Sequence, residues 1–352
     1  QTAGFDSPVK QPRKDLLWPE GDLVRTESLP REIKKELLGR AVEEVFSEPD
    51  PERLRRTRAV VVVYRGRIIA ERYAPGITAD TSLIGWSMTK SVMNALTGIM
   101  VREGKLSIHD TALLPQWRAP DDPRSSISVD HLLRMTSGLK FDENYVNLIS
   151  DVNEMLLDCG DMASFAADKS LKTAPGSAWK YSSGSINILS RVMRERVGGT
   201  ESDYFVFPRK ALFNPVGMHS AVIEPDAAGN FVGSSFMYAT ARDWARFGLL
   251  YPRKGRWNGK QILPDDWIAY SLTPTTGSGN AYGAGFWLQP DPSTGGQSRA
   301  LLPSDAYFIT GHEGQLIAVI PSRELVIVRL GLSRLPGAWD QASFVSRVLE
   351  AF

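Results

Sequence analysis

Cysteine is nearly absent from this chain, and the one thiol, Cys159, has no partner with which to close an internal disulfide. Its setting, Leu157-Asp158-Cys159-Gly160, offers no neighbouring histidine or basic residue that would activate it, so a catalytic thiol is not expected. Charge of one sign is missing too: 41 basic and 40 acidic residues leave a net charge of +1, no footprint for nucleic acid or an anionic membrane surface. No long apolar run exists, because the most apolar stretch, around residues 87–101, contains a lysine, serines, threonines and an asparagine; no membrane span is expected. The sequence has no G-x-S-x-G elbow, no G-x-x-x-x-G-K-[ST] loop and no G-x-G-x-x-G fingerprint, which argues against an α/β-hydrolase, a P-loop NTPase and a simple dinucleotide binder. The four histidines, His109, His131, His219 and His312, are too dispersed for a short two-histidine metal motif, so neither metal nor cofactor is implied.

What is present is an ordinary globular composition: 352 residues, 42% hydrophobic and 23% charged, enough for one large or two modest domains. One position departs from it. Lys90 is the only charged side chain between Asp80 and Arg102, in a segment that reads as a buried helix. Desolvation favours the neutral amine, and Ser87, one helical turn earlier, is within its reach, so the pair reads as a general base beside a nucleophile. The S-x-x-K spacing alone is weak, because the chain has four such matches. Ser7 and Lys10 lie in a Pro-containing tail, Ser137 precedes a turn glycine, and Ser177 follows Pro175-Gly176 in a loop. Only Ser87 opens a long helix, with Met88, Val92, Ala95, Leu96, Ile99 and Met100 on one face and Gly104 as a stop signal. Ser87, Lys90, Ser91 and Asn94 make a second, polar stripe. A serine in the first helical turn also has its own N–H where an oxyanion could be held. The competing reading is a buried lysine that only satisfies polar neighbours.

Along the chain, residues 1–30 are Pro-rich and irregular, and Arg31–Phe46 reads as an amphipathic helix. A hairpin follows, Ala59–Tyr64 and Ile68–Tyr73 about Arg65-Gly66-Arg67. Residues 107–272 read as mainly helical with long loops. Strand signals return at Tyr282–Leu288, Ala306–Thr310, Gln315–Ile320 and Leu325–Gly331, before a final helix over Trp339–Phe352. Neither set of strands hides its apolar face alone, so both must share one sheet. The expected fold is α+β: an antiparallel sheet flanked by helices, with an α/β lobe from residues 31–106 and 273–352 and a helical lobe, 107–272, inserted between its strands.

Two further segments would complete a serine-lysine site. Tyr181-Ser182-Ser183-Gly184 opens a helix, and a Tyr181 phenol near an ammonium is expected to have a lowered pKa and to relay protons; a capping tyrosine with a buried ring is the alternative. Thr310-Gly311-His312-Glu313-Gly314-Gln315 lies between two strand-like runs, where Gly314 allows a ligand close approach and the Gln315 N–H could be the second oxyanion donor.

Taken together, these segments resemble the S-x-x-K, Y-x-N or Y-x-S, and K-T-G elements of the serine β-lactamase and penicillin-binding superfamily. Softer matches at Ile127–Leu139 and Tyr238–Gly248 extend the resemblance from Ala59 to the C-terminus. Within it, the chain looks most like the class C-related branch of family VIII carboxylesterases and 6-aminohexanoate-dimer hydrolases, whose substrate-contacting tyrosine loop Phe141-Asp-Glu-Asn-Tyr145 resembles. The resemblance implies a β-lactamase-like fold, Ser87 as nucleophile, Lys90 as its base, Tyr181 as proton relay, and Tyr145, Ser183, His312 and Gly314 as substrate contacts. His312-Glu313-Gly314 replaces K-T-G and Ser183 replaces the usual asparagine, which would weaken recognition of a carboxylate and of an acylamino side chain. The expectation is therefore a serine hydrolase cleaving a small ester or linear amide through an acyl-enzyme. The alternatives are a β-lactamase or D-alanyl-D-alanine peptidase, and a non-catalytic homologue that binds peptide or cell-wall fragments. The chain begins at Gln1, which fits a processed exported protein or one trimmed to its ordered core; a periplasmic or secreted location is the weak expectation.

Overall fold

The computed structural model describes residues 15–25, 28–119, 121–290 and 302–352. Ser7, Lys10 and much of the irregular N-terminal segment lie outside the described residues. In chain order come α1 (Lys35–Phe46), β1 (Thr57–Tyr64), β2 (Arg67–Tyr73), β3 (Leu83–Ile84) and α2 (Met88–Arg102). The helical stretch follows: α3 (Val129–Leu133), α4 (Asp151–Leu157), α5 (Met162–Ala167), α6 (Ser183–Val197), α7 (Glu201–Pro208) and α8 (Asn214–Val216). Then come β4 (Val222–Ile223), β5 (Met237–Ala239), α9 (Ala241–Leu250), β6 (Arg256–Trp257), β7 (Lys260–Gln261) and α10 (Trp267–Leu272). The chain closes with β8 (Tyr307–Gly311), β9 (Gln315–Ile320), β10 (Leu325–Gly331) and α11 (Gln341–Leu349).

N- and C-terminal strands do share one antiparallel sheet, in the order β2-β1-β10-β9-β8. Its seam is the β1–β10 pairing, with Val61 opposite Val328 and Val63 opposite Val326. Arg65 and Gly66 both take positive φ (49° and 72°), the two-residue turn whose twist matches the strands it joins. Alternation along the strands sorts side chains into two cores. Val60, Val62, Phe308, Leu316, Ala318 and Ile327 meet α1 and α11, while Val61, Val63, Ile317, Val319, Val326 and Val328 face α9 and the helical side. With both faces covered, β1, β9 and β10 are buried almost throughout, hence their unbroken aliphatic runs.

Two expectations need revision. Residues 282–288 do not form a strand; they bend back on themselves through isolated Tyr282–Trp287 and Trp287–Phe308 bridges, because Gly285 takes φ 81° and Gly283 lies against the Ser271 carbonyl. Within the stretch assigned to the inserted lobe, α9 packs directly on β1, β9 and β10, so this helix is part of the sheet's own wall.

Helix α9 also anchors the described part of the N-terminal segment. The fully buried Arg246 guanidinium donates to Asp243 and Asp22 at 2.6 Å and to the carbonyls of Pro19 and Gly21 at 2.9 and 2.6 Å. Arg246→Met would leave the buried Asp243 carboxylate without its cation, and is expected to lower the unfolding free energy by roughly 3 kcal/mol in urea titrations.

Candidate active site

Ser87 stands at the N-terminus of α2, immediately after Trp86, whose φ of 48° is the left-handed region that a bulky side chain rarely adopts. The turn is fixed from both sides: Gly85 N–H donates to Met237 O at 2.8 Å, and the Thr89 hydroxyl donates to Trp86 O at 2.7 Å. The end of β8 presses against it. A Cβ on Gly311 would stand 2.1 Å from Gly85 O, so only glycine lets strand and turn approach this closely.

Lys90, 1% exposed, donates to three oxygens: Ser87 Oγ at 2.9 Å, Ser183 Oγ at 3.1 Å and Ser234 O at 2.8 Å. Burial pulls its pKa down to about 8 against the pull of Glu143, which raises it. The acceptors are themselves held, since Ser234 N–H donates to Asn187 Oδ1 at 3.1 Å. The rest of the polar stripe has another task. Ser91 and Asn94 donate to the Gly285 and Ala284 carbonyls and so glue the Tyr282–Trp287 bend to α2.

Tyr181 lies with its ring 4.9 Å from Lys90 Nζ, stacked on Trp287 and edge-on to Tyr282. The expected lowering of its pKa does not occur. Burial first, then Tyr282 and Glu143, push it well above the usual tyrosine value, with the Ser87 hydroxyl opposing, so Tyr181 is a neutral phenol. Tyr145 stacks on His312 at 5.0 Å, and its hydroxyl is 3.4 Å from Glu143 Oε1.

Ser87, Tyr145, Tyr181, Trp287, His312 and Gly314 line a cleft of about 340 Å³, whose far rim is Ser333–Gly337 with Trp339. Ser183 does not line it. Fully buried beneath, it donates to Glu143 Oε1 at 2.5 Å and accepts from Lys90, so the anticipated substrate contact is instead a bridge inside the protein. Gln315 is also displaced from its expected role: it is 2% exposed, pairs with Gly311 in the ladder and ties its side chain to Gly331 of β10. By strand alternation the N–H groups directed to the cleft edge are those of Thr310 and His312. Phe308 exchanges both backbone bonds with Trp287 on that edge, and alternation through the extended Gly311 (φ −140°, ψ 160°) brings the His312 N–H out on the same side.

Sequence reasoning missed two residues behind this edge. Glu313, at φ 61°, accepts from Trp86 Nε1 at 3.3 Å and from Arg334 Nε at 3.2 Å. Arg329, wholly buried in β10, donates to Gly314 O at 2.8 Å, Arg55 O at 2.6 Å and the Ser333 hydroxyl at 2.8 Å, with Trp339 packed 4.4 Å away; burial draws its pKa down to about 9. An arginine in an aliphatic strand with no acidic neighbour in sequence was the available signal. Glu143 is the third omission: it lay inside the quoted Phe141–Tyr145 loop, but only the tyrosine was singled out. Among the described residues no helix is long and apolar enough to cross a membrane, and no cluster of three His, Cys, Asp or Glu side chains could hold a metal.

This fold, with a serine-lysine pair at the mouth of a cleft, defines a serine hydrolase of the β-lactamase-like class. The chain belongs to the Beta-lactamase family, whose profile matches residues 42–337. It is similar to an uncharacterized protein of Alkalihalophilus pseudofirmus, 23% identical over 77% of this chain and 82% of the other. Among solved structures it is similar to a candidate 6-aminohexanoate-dimer hydrolase of Bacillus anthracis, with TM-score 0.69 and 20% identity over 92% of this chain and 81% of that one. A family VIII carboxylesterase superposes with TM-score 0.65 and 14% identity over 93% and 98% of the two chains.

The approach of β8 to the serine turn is open to test. Gly311→Ala forces its Cβ against backbone that has no side chain to move aside, and is expected to reduce ester turnover at least about tenfold by displacing the His312 edge from Ser87. Steady-state kinetics, with the melting temperature as a check on folding, measure it.

Proposed function

We propose that this chain hydrolyses a small uncharged ester or linear amide through an acyl-enzyme on Ser87. The observation that carries this reading is the 2.9 Å contact between Ser87 Oγ and a lysine amine buried to 1% exposure. Neutral Lys90 takes the hydroxyl proton as Oγ attacks the carbonyl carbon. The oxyanion is met by the N–H groups of Ser87 and His312, where loss of one donor typically costs about 3 kcal/mol of barrier. Lys90, now an ammonium, returns the proton to the leaving alcohol or amine by way of the Tyr181 phenol. A water then repeats the sequence on the acyl-enzyme with Lys90 again as base.

The substrate class follows from the walls. Tyr145, Tyr181, Trp287 and Trp339 make the cleft largely aromatic. Arg334, the cation at its rim, is paired with Glu313, and an imidazole stands where penicillin-recognising relatives carry lysine. A carboxylate-bearing β-lactam thus finds weak anchorage, while a neutral acyl group stacks well. The carboxylesterase and the candidate 6-aminohexanoate-dimer hydrolase share this fold, and the choice of substrate rests on the cleft walls.

Ser87→Ala is expected to abolish turnover of a short nitrophenyl ester and to remove labelling by a fluorophosphonate. Intact-mass measurement reads the labelling, and retained activity would overturn the mechanism. In a panel of short ester, linear amide and penicillin, kcat/KM should be lowest for penicillin. Because the base is the deprotonated amine, kcat/KM should rise with pH and level off above about 8, the value to which burial draws Lys90. A profile flat between pH 6 and 9, a window bracketing the value to which a buried lysine can fall, would exclude Lys90 as the base.

A further inference from the structure

The Lys90 amine has a second ionisable partner, which the mechanism above leaves idle. Glu143, from the loop before α4, turns into the protein and lies beneath the cleft floor. Its carboxylate accepts the Ser183 N–H at 2.7 Å through Oε2 and the Ser183 hydroxyl at 2.5 Å through Oε1. With its O–H directed at Glu143, the Ser183 oxygen presents its lone pairs to Lys90 Nζ at 3.1 Å. Lysine, hydroxyl and carboxylate thus form one continuous chain, begun at Ser87 and ended at an acid. Ser183 is fixed as the first residue of α6, with Ser182 as the helix cap, so the bridge rests on a rigid element.

Buried carboxylates are costly unless satisfied, and this one takes two strong bonds from a single residue whose other contact is the candidate base. The groups facing it are Lys90 from α2, Ser183 from α6, Tyr145 from its own loop, and Tyr181 and Tyr282, both of whose phenols feel its charge. His312 stands beyond the Tyr145 ring. Lys90 is the cation among them.

We propose that Glu143, acting through the Ser183 hydroxyl, is a positioning residue that sets the proton affinity of Lys90 and stabilises the ammonium formed as Ser87 attacks. This rests on the reading of Ser87 as nucleophile and Lys90 as base. In the step concerned, the Ser87 O–H bond breaks, a new N–H bond forms on Lys90, and the Oγ electron pair goes to the acyl carbon. Positive charge appears on Nζ as negative charge appears on the substrate oxygen, and the bridge to Glu143 offers the new cation an acceptor and a counter-charge. The same contact makes Lys90 a stronger base than burial alone would leave it, since burial lowers its pKa and Glu143 raises it.

Removing the charge therefore has two linked effects. In Glu143→Gln the ammonium is less stable, so the acidic limb of the kcat/KM profile should move to lower pH by at least about half a unit. The weaker base should also lower the alkaline plateau on the order of tenfold, mainly in kcat. Loss of packing alone would lower the plateau without moving the limb. Ser183→Ala, which keeps the backbone contact to Glu143 but removes the bridging oxygen, should move the limb the same way by less, and supplies the answer if Glu143→Gln does not fold. A limb that stays in place in the folded variant, or moves to higher pH, overturns the proposal. Fluorophosphonate labelling of wild-type Ser87 is run alongside: its absence overturns the nucleophile assignment and this inference with it, whereas labelling with an unmoved limb overturns the role of Glu143 alone.

Discussion

The site depends on one desolvated amine. Removing a lysine from water is unfavourable unless each of its protons meets an oxygen, and Lys90 meets three, from α2, from α6 and from the segment before β5. Those contacts draw three separate parts of the chain to one point. They also limit what can surround the amine, because a fourth strong partner such as a directly contacting carboxylate would hold it as a permanent cation. The carboxylate that is present, Glu143, stands one hydroxyl away.

A second buried cation does the corresponding work for the opposite wall. Among the described residues Arg329 has no carboxylate in contact, and it instead gathers backbone carbonyls and hydroxyls from residues 55, 57, 313, 314 and 333. Its guanidinium fork suits several carbonyls arranged around a plane, a geometry a lysine could not reproduce. The left-handed Glu313 and the close-packed Gly314 are held in place by it, and with them the edge of β8 beside Ser87. One cation holds the Ser87 side of the cleft in register and the other the β8 side.

Much of this was legible in the amino-acid order because desolvation leaves a compositional trace. A lone lysine among twenty uncharged residues signalled burial, and aliphatic runs at β9 and β10 matched the observed strands residue for residue. What was not legible depended on neighbours distant in sequence. Proximity to an ammonium suggests an acidic Tyr181 phenol, but Trp287 and Tyr282 enclose it, and burial drives its pKa up. Ser183 was read as facing the cleft, yet its direction is set by Glu143, 40 positions earlier. Residues 282–288 have strand-like composition, but their backbone groups are taken by α2 and by Ser271.

The seam between β1 and β10 joins segments that lie far apart, as the Arg329–Thr57 contact, 272 positions long in sequence, makes plain. During synthesis the serine and lysine leave the ribosome more than two hundred residues before the wall opposite them, β8 to β10, is made. Until then the β1–β2 hairpin carries an unpaired aliphatic edge, the kind of surface chaperones bind. The cleft therefore has only one of its walls until β8, β9 and β10 have been made and paired with β1.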